Sequence, residues 1–192
     1  MILTPTIKID KNHKVAFNAL VEEFYQCQDK GTRYHGDEGV YNSNDGRYVA
    51  VTMKSVDNNI LILCDDGSGA RNPVLIARIV PAPVPQGTFP WGRKVYVIDR
   101  IRVSETHIGM SISPELYLWL TNAGYTLVSD SHQTSMSLAV WRKLGMNGGV
   151  FTTNLVDGTW RVYDPLRVED WMLFGNGDLR RYWPIRFLLP GK

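Results

Sequence analysis

Residues 94–129 constrain the fold more than any other part of the chain. They read as strand, helix and strand, and such a unit returns its second strand to the same sheet as a parallel neighbour through a right-handed crossover. The first strand is predicted over Lys94–Val103 from its Val, Tyr and Ile residues. Ser113 and Pro114 supply a helix start, with serine as N-cap and proline in the first helical position. Gly124 supplies the stop after Leu116, Trp119 and Leu120, and residues 125–129 form the second strand.

The flanking segments extend this unit into a mixed sheet. Residues 48–55, 60–64 and 74–80 are apolar runs separated by Asp57-Asn58-Asn59 and by Asp65-Asp66-Gly67-Ser68-Gly69, which predicts an antiparallel meander. Residues 3–9 alternate as a short edge strand does. Residues 10–12 then open a helix whose apolar face is Val15, Ala19, Leu20, Phe24 and Cys27 and which Gly31 ends. Residues 32–47 are rich in turn formers without a sustained period and read as a loop holding at most one short helix. The prolines of 81–92 exclude ladder bonds and make a stiff surface connector. A second capped helix is predicted over 135–144, ended by Gly145, and further strands over 150–156, 159–163 and 183–188. The expected class is α/β, a mixed α+β sheet with helices on its faces, in one domain over 1–192 with a strand-rich extension from about residue 150.

Composition narrows the function classes. With 44% apolar and 21% charged residues in a chain of 192, the protein is a folded globular chain rather than a disordered or coiled-coil one. A formal charge of +2 gives no reason to expect a nucleic-acid partner, and Arg180-Arg181-Tyr182-Trp183-Pro184-Ile185-Arg186 reads as a strand with snorkelling arginines. No apolar run approaches the roughly 18 residues of a membrane span, and the first residues lack a leader pattern, so a soluble, cytoplasmic protein without membrane contact is expected. Cys27 and Cys64 are too few for a disulfide framework and are expected to be reduced. No metal is expected, because His35, Asp37 and Glu38 lack a second histidine or a cysteine to complete a site.

Three segments between residues 95 and 146 carry a resemblance. The strand ends in Ile101-Arg102-Val103, a loop with Gly109 leads to the helix, and the later helix ends in Val140-Trp141-Arg142-Lys143-Leu144-Gly145-Met146. This part resembles the core of the GNAT family of N-acetyltransferases, in which an apolar-x-Val strand end is followed by a [Gln/Arg]-x-x-Gly-x-[Gly/Ala] loop and a helix ending Leu-Tyr-x-Lys-Leu-Gly-Phe. The run Ser129-Asp130-Ser131-His132-Gln133-Thr134 resembles uncharacterised GNAT-like proteins of tailed phages. The resemblance implies a mostly antiparallel central sheet with one parallel pair splayed at the cofactor site. It also implies acetyl-CoA as cofactor, with Ile101 and Val103 along its pantetheine arm and Ile108, Gly109, Met110, Ser111, Ile112 and Ser113 around its pyrophosphate; Thr134 and Trp141 complete that set. The physical basis is a helix N-terminus whose free N–H groups and positive dipole end meet phosphate charge.

This chain departs from the family at informative positions. Ile108 stands where the family has a glutamine or a basic residue, Ser111 and Ser113 stand at the glycine positions, and Pro114 removes one backbone donor. Trp141 replaces the tyrosine that protonates the departing thiolate, and an indole cannot deliver its proton at neutral pH. Packing against the sheet is the expected role of Trp141. For proton transfer from an acceptor amine, His132 and Asp130 follow the second central strand, with Asp99 and Glu105 as rivals on or after the first. Asp130 and Ser131 read equally as turn residues and His132 as a solvated loop histidine. Tyr34, Asp37, Glu38 and Asp99 are substrate candidates; with His35, Tyr41 and Asp45, the first three would form an acidic, aromatic rim for a cationic group. The function classes left open are an acetyl-CoA-dependent N-acyltransferase acting on a small-molecule or protein amine, a catalytically inactive protein of the same fold that binds a host protein or belongs to an assembly, and, more weakly, a nucleic-acid-binding module.

Overall fold

The structure is a computed structural model, and it describes residues 11–30, 34–35, 40–42, 48–55, 58–68, 72–82, 94–130, 135–154, 159–166 and 185–191. In chain order the elements are α1 (Lys11–Lys30), β1 (Tyr34–His35), β2 (Val40–Asn42), β3 (Val49–Ser55), β4 (Ile60–Asp65), β5 (Pro73–Pro81), β6 (Lys94–Val103), a 3₁₀ turn (Glu105–His107), α2 (Ile112–Asn122), β7 (Tyr125–Val128), α3 (Ser135–Met146), β8 (Phe151–Asn154), β9 (Trp160–Val162) and β10 (Ile185–Leu189). The described strands join one sheet in the order β1-β3-β4-β5-β6-β7-β10-β8-β9, with β2 also on β3. The pair β6 and β7 is parallel and the other described pairs are antiparallel, as the strand–helix–strand unit requires. The strand-rich extension is part of this sheet: β10 returns between β7 and β8.

Strand periodicity distributes the core onto two faces. Along β4, Ile60, Ile62 and Cys64 point to the face covered by α2 and α3, whereas Leu61 and Leu63 point to the face covered by α1. Helix α1 meets that face through Phe17, Leu20 and Phe24, spaced by three and four residues. Here the expected apolar face is corrected, because Val15 is 69% exposed and Ala19 is exposed as well. Each lies two positions from Phe17, about 200° round the helix.

Other boundaries also shift. Residues 34–35 and 40–42, expected to be loop, are short strands on the outer edge of β3. Helix α2 begins at Ile112 with Ser111 as its N-cap, so Ser113 is a buried residue of the first turn rather than the cap. Pro114 is tolerated one residue further on because first-turn N–H groups have no helical acceptor. The strand at 3–9, most of the proline connector and the basic run before residue 185 lie outside the described residues.

Gly145 does not stop α3, which continues to Met146. Its lack of a side chain serves a close approach instead: a Cβ there would meet Tyr163 Cδ1 at 2.6 Å and Cε1 at 2.7 Å. Tyr163 cannot easily yield, since it is buried and packs edge-on to Phe187 with centroids 4.8 Å apart. Gly145→Ala should therefore destabilise the protein by about 1–3 kcal/mol through overpacking. Helix propensity alone would favour alanine by about 1 kcal/mol. A denaturation midpoint that is unchanged or raised would show that propensity wins and the contact is unimportant.

Candidate functional site

The parallel pair holds together only from Lys94 and Tyr125 to Val97 and Val128. Beyond that point β7 ends, while β6 runs on for six residues with no described strand on that side. A bulge marks the fork. Arg78 pairs with Arg100 and Ile79 with Ile98, so Asp99 is the extra residue on β6. The Ala82 N–H donates to Val95 O at 2.9 Å and the Ser104 N–H to Val74 O at 2.8 Å, so Val95 and Ser104 both address the β5 side. Alternation with one inserted residue then turns the backbone groups of Ile101 and Val103 to the open edge. Their carbonyls there accept hydrogen bonds from Arg102 Nη1 (2.9 Å) and from the His13 ring at Nε2 (2.8 Å).

A cavity of about 540 Å³ lies along this open edge. Its walls are β6 from Ile98 to Val103, the turn from His107 to α2, the inner side of α3 and the first turn of α1. The volume suits a small organic ligand or the reactive arm of a larger one. At one end, Gly109 has φ +90° and Ser111 has φ +65°, so the turn uses the left-handed region twice within three residues. The departure from glycine at Ser111 thus leaves in place the backbone conformation that glycine adopts freely. Ser113 is buried beside it, and Lys143 of α3 donates a hydrogen bond from Nζ to Ser111 Oγ. The first N–H groups of α2, two serine hydroxyls and one ammonium group are thereby brought together.

At the fork, Arg78 donates from Nε (2.7 Å) and approaches with Nη2 (2.6 Å) the same Oδ2 of Asp99. Asp130, half-buried at the end of β7, also lines the cavity. Arg186 of β10 is near enough to respond to it: burial lowers the guanidinium from its ordinary range, and the Asp130 charge opposes that shift. Trp141 reaches the cavity wall but is 1% exposed, stacked on Phe187 and tilted against Tyr117. It is a packing residue, as its indole chemistry suggests.

No protein-family model, curated protein or solved structure matches the chain. The geometry therefore carries the functional reading.

Of the residues singled out from the sequence, Ile101, Val103, Ile108, Gly109, Ser111, Ile112, Ser113, Trp141, Asp99 and Asp130 line one cavity. Met110 does not, and is half exposed. Glu105 is exposed in the 3₁₀ turn and is likewise not part of the lining. His132, Thr134, Asp37, Glu38 and Asp45 lie outside the described residues. The backbones of Tyr34, His35 and Tyr41 belong to β1 and β2, at the far edge of the sheet. Four strand spacings, roughly 19 Å, separate β1 from β6 along the sheet. The described backbone of the expected rim is thus at the sheet edge away from the cavity, and its acidic residues lie outside the described residues. Polar lining residues that the sequence did not single out include His13, Arg100 and His107, and Lys143 was legible only as part of the helix end that carries the resemblance. Among the described residues no three His, Cys, Asp or Glu side chains group as metal ligands, and no helix is long and apolar enough to cross a membrane.

Proposed function

We propose that the protein is an N-acyltransferase of the GNAT type that uses acetyl-CoA. The observation that carries this reading is the cavity running from the fork, over the open edge of β6, to the left-handed turn at the start of α2. A β-edge offers regularly spaced amide groups to a ligand that itself contains amides, and the turn offers N–H groups, hydroxyls and the Lys143 ammonium to phosphate. Lys143 takes over the positive charge that Ile108 lacks. Acetyl-CoA supplies an acyl thioester. The chain supplies the edge at Ile101 and Val103, the anion cradle at Gly109, Ser111, Ser113 and Lys143, and Asp130 with His132 after β7 to accept the proton of an acceptor amine.

Calorimetric titration with acetyl-CoA tests the reading. One-to-one binding in the micromolar range is expected, weakened roughly tenfold to hundredfold in Lys143→Glu by loss of a charged hydrogen-bond donor. No binding at about 1 mM would overturn it. A second reading, an inactive protein of the same fold that binds another protein, is favoured by one observation: among the described residues no tyrosine lines the cavity. Absence of cofactor binding together with a stoichiometric partner in a pull-down would establish that alternative.

A further inference from the structure

We infer that the acceptor is an amine that also carries an anionic group, a carboxylate or a phosphate, held by Arg100 and Arg102. The inference rests on the acyltransfer reading and deepens it. On β6 these two residues share a face, because Arg100 pairs with Arg78 and Arg102 with Ile76, two residues apart on β5. Ile76 belongs to the cluster under α1, so this is the face away from α2 and α3. The cavity includes both arginines, and so it wraps round the open edge of β6 and reaches this second face.

The charges on this side do not cancel. The lining holds two carboxylates, Asp99 and Asp130, against the cations Arg100, Arg102 and Lys143, and Asp99 is bonded by Arg78 from outside the lining. Arg100 approaches Asp99 only to 3.6 Å, and Arg102 spends one donor on the Ile101 carbonyl. A guanidinium has five donors in a planar fork matched to carboxylate and phosphate oxygens. Two such forks, one alternation apart and roughly 7 Å along the strand, line a cavity that also holds the polar ring of His13. A cationic acceptor such as a polyamine would meet repulsion there. In the transfer itself the acceptor nitrogen forms a C–N bond to the acetyl carbon as the C–S bond breaks, and the proton lost by nitrogen ends on the coenzyme thiol. The anionic group takes no part beyond orientation.

The test compares O-phosphoethanolamine and glutamate with ethanolamine and putrescine as acceptors, reading thiol release from acetyl-CoA. The anionic amines should be used with kcat/KM roughly tenfold to hundredfold higher, and this ratio should collapse in an Arg100→Gln, Arg102→Gln double variant. Equal or better use of putrescine or ethanolamine by the wild type would overturn the inference while leaving acyl transfer intact. If acetyl-CoA does not bind, the acyltransfer reading fails, and calorimetric titration with O-phosphoethanolamine and glutamate decides the anion site separately. Binding that the double variant loses upholds it, and no binding to the wild type overturns it.

Discussion

Trp141→Ala is expected to lower the stability of the protein by about 3–5 kcal/mol, the range for removing a large aromatic side chain from a packed core. The side chain is the largest of those fully buried, and it bridges two parts of the fold. Its ring stacks on Phe187 of β10 with centroids 5.5 Å apart and planes 14° from parallel, while Tyr117 of α2 touches it at 5.3 Å. Phe187 in turn meets Tyr163, so the truncation opens a void in a chain of four aromatic rings drawn from α2, α3, β10 and the segment after β9. Most domains have only about 5–15 kcal/mol in total, so this loss is a large fraction of the stability. Trp141→Phe keeps most of the contact and should lose clearly less. Denaturant midpoints decide the matter: a loss below about 1 kcal/mol for the alanine variant would mean that this aromatic chain is not a principal support of the fold.

The strands were legible because their signal is local. Residues 94–103 and 60–64 alternate or run apolar between turn formers, and both strands appear where that pattern places them, the second running one residue further to Asp65. The shifted features are those whose cause is remote in sequence. Gly145 looks like a helix stop by itself, and only Tyr163, eighteen positions later, shows why a glycine is needed inside α3. Residues 34–35 and 40–42 contain strand formers but are too short to show a period, and both obtain their conformation by pairing with β3. Ser113 followed by Pro114 is a strong local helix start, yet the backbone begins its helix at Ile112 because Ser111 takes the left-handed conformation one residue earlier.

The candidate site divides in the same way. Ile101, Val103, Ile108, Gly109, Ser111, Ile112 and Ser113 line one wall close together in sequence and belong to the segment that carries the resemblance, so they could be named from the sequence. His13 reaches Val103 across ninety positions, and Lys143 reaches Ser111 across thirty-two. Nothing in the local pattern of α1 distinguishes His13 from a solvated side chain, and in α3 only the resemblance of the helix end marked Lys143. The pairing of Asp99 with Arg78 depends on the bulge in β6, and it holds Asp99 closer to Arg78 than to Arg100, which approaches the same oxygen at 3.6 Å. Of the expected acidic rim, the sheet order carries the backbones of β1 and β2 to the far edge, and its acidic residues lie outside the described residues.

A second large effect is expected in alkaline solution and traces to Cys64. Burial on the α2 and α3 face of β4, aided by the neighbouring Asp65 charge, pushes its thiol up from 9.0 to about 12. Above pH 9 the unfolded chain releases this proton while the folded chain keeps it, so the folded state is the one that binds more protons and stability falls as pH rises. The loss starts near pH 9 and continues towards pH 12 at about 1.4 kcal/mol per pH unit. Tyr96 and Tyr117, both raised by burial above the ordinary phenol range, add to the decline at higher pH, so the contribution of Cys64 is best isolated by difference. Cys64→Ala lacks the titrating group but keeps the two tyrosines. The stability advantage of the wild type over this variant should therefore shrink by about 1 kcal/mol between pH 9 and 10, where the unfolded thiol is still partly protonated, and by a little over ~2 kcal/mol by pH 11. Parallel stability curves for the two proteins across this window would mean that the thiol ionises as readily in the folded chain as in the unfolded one, and that β4 does not shield it from solvent.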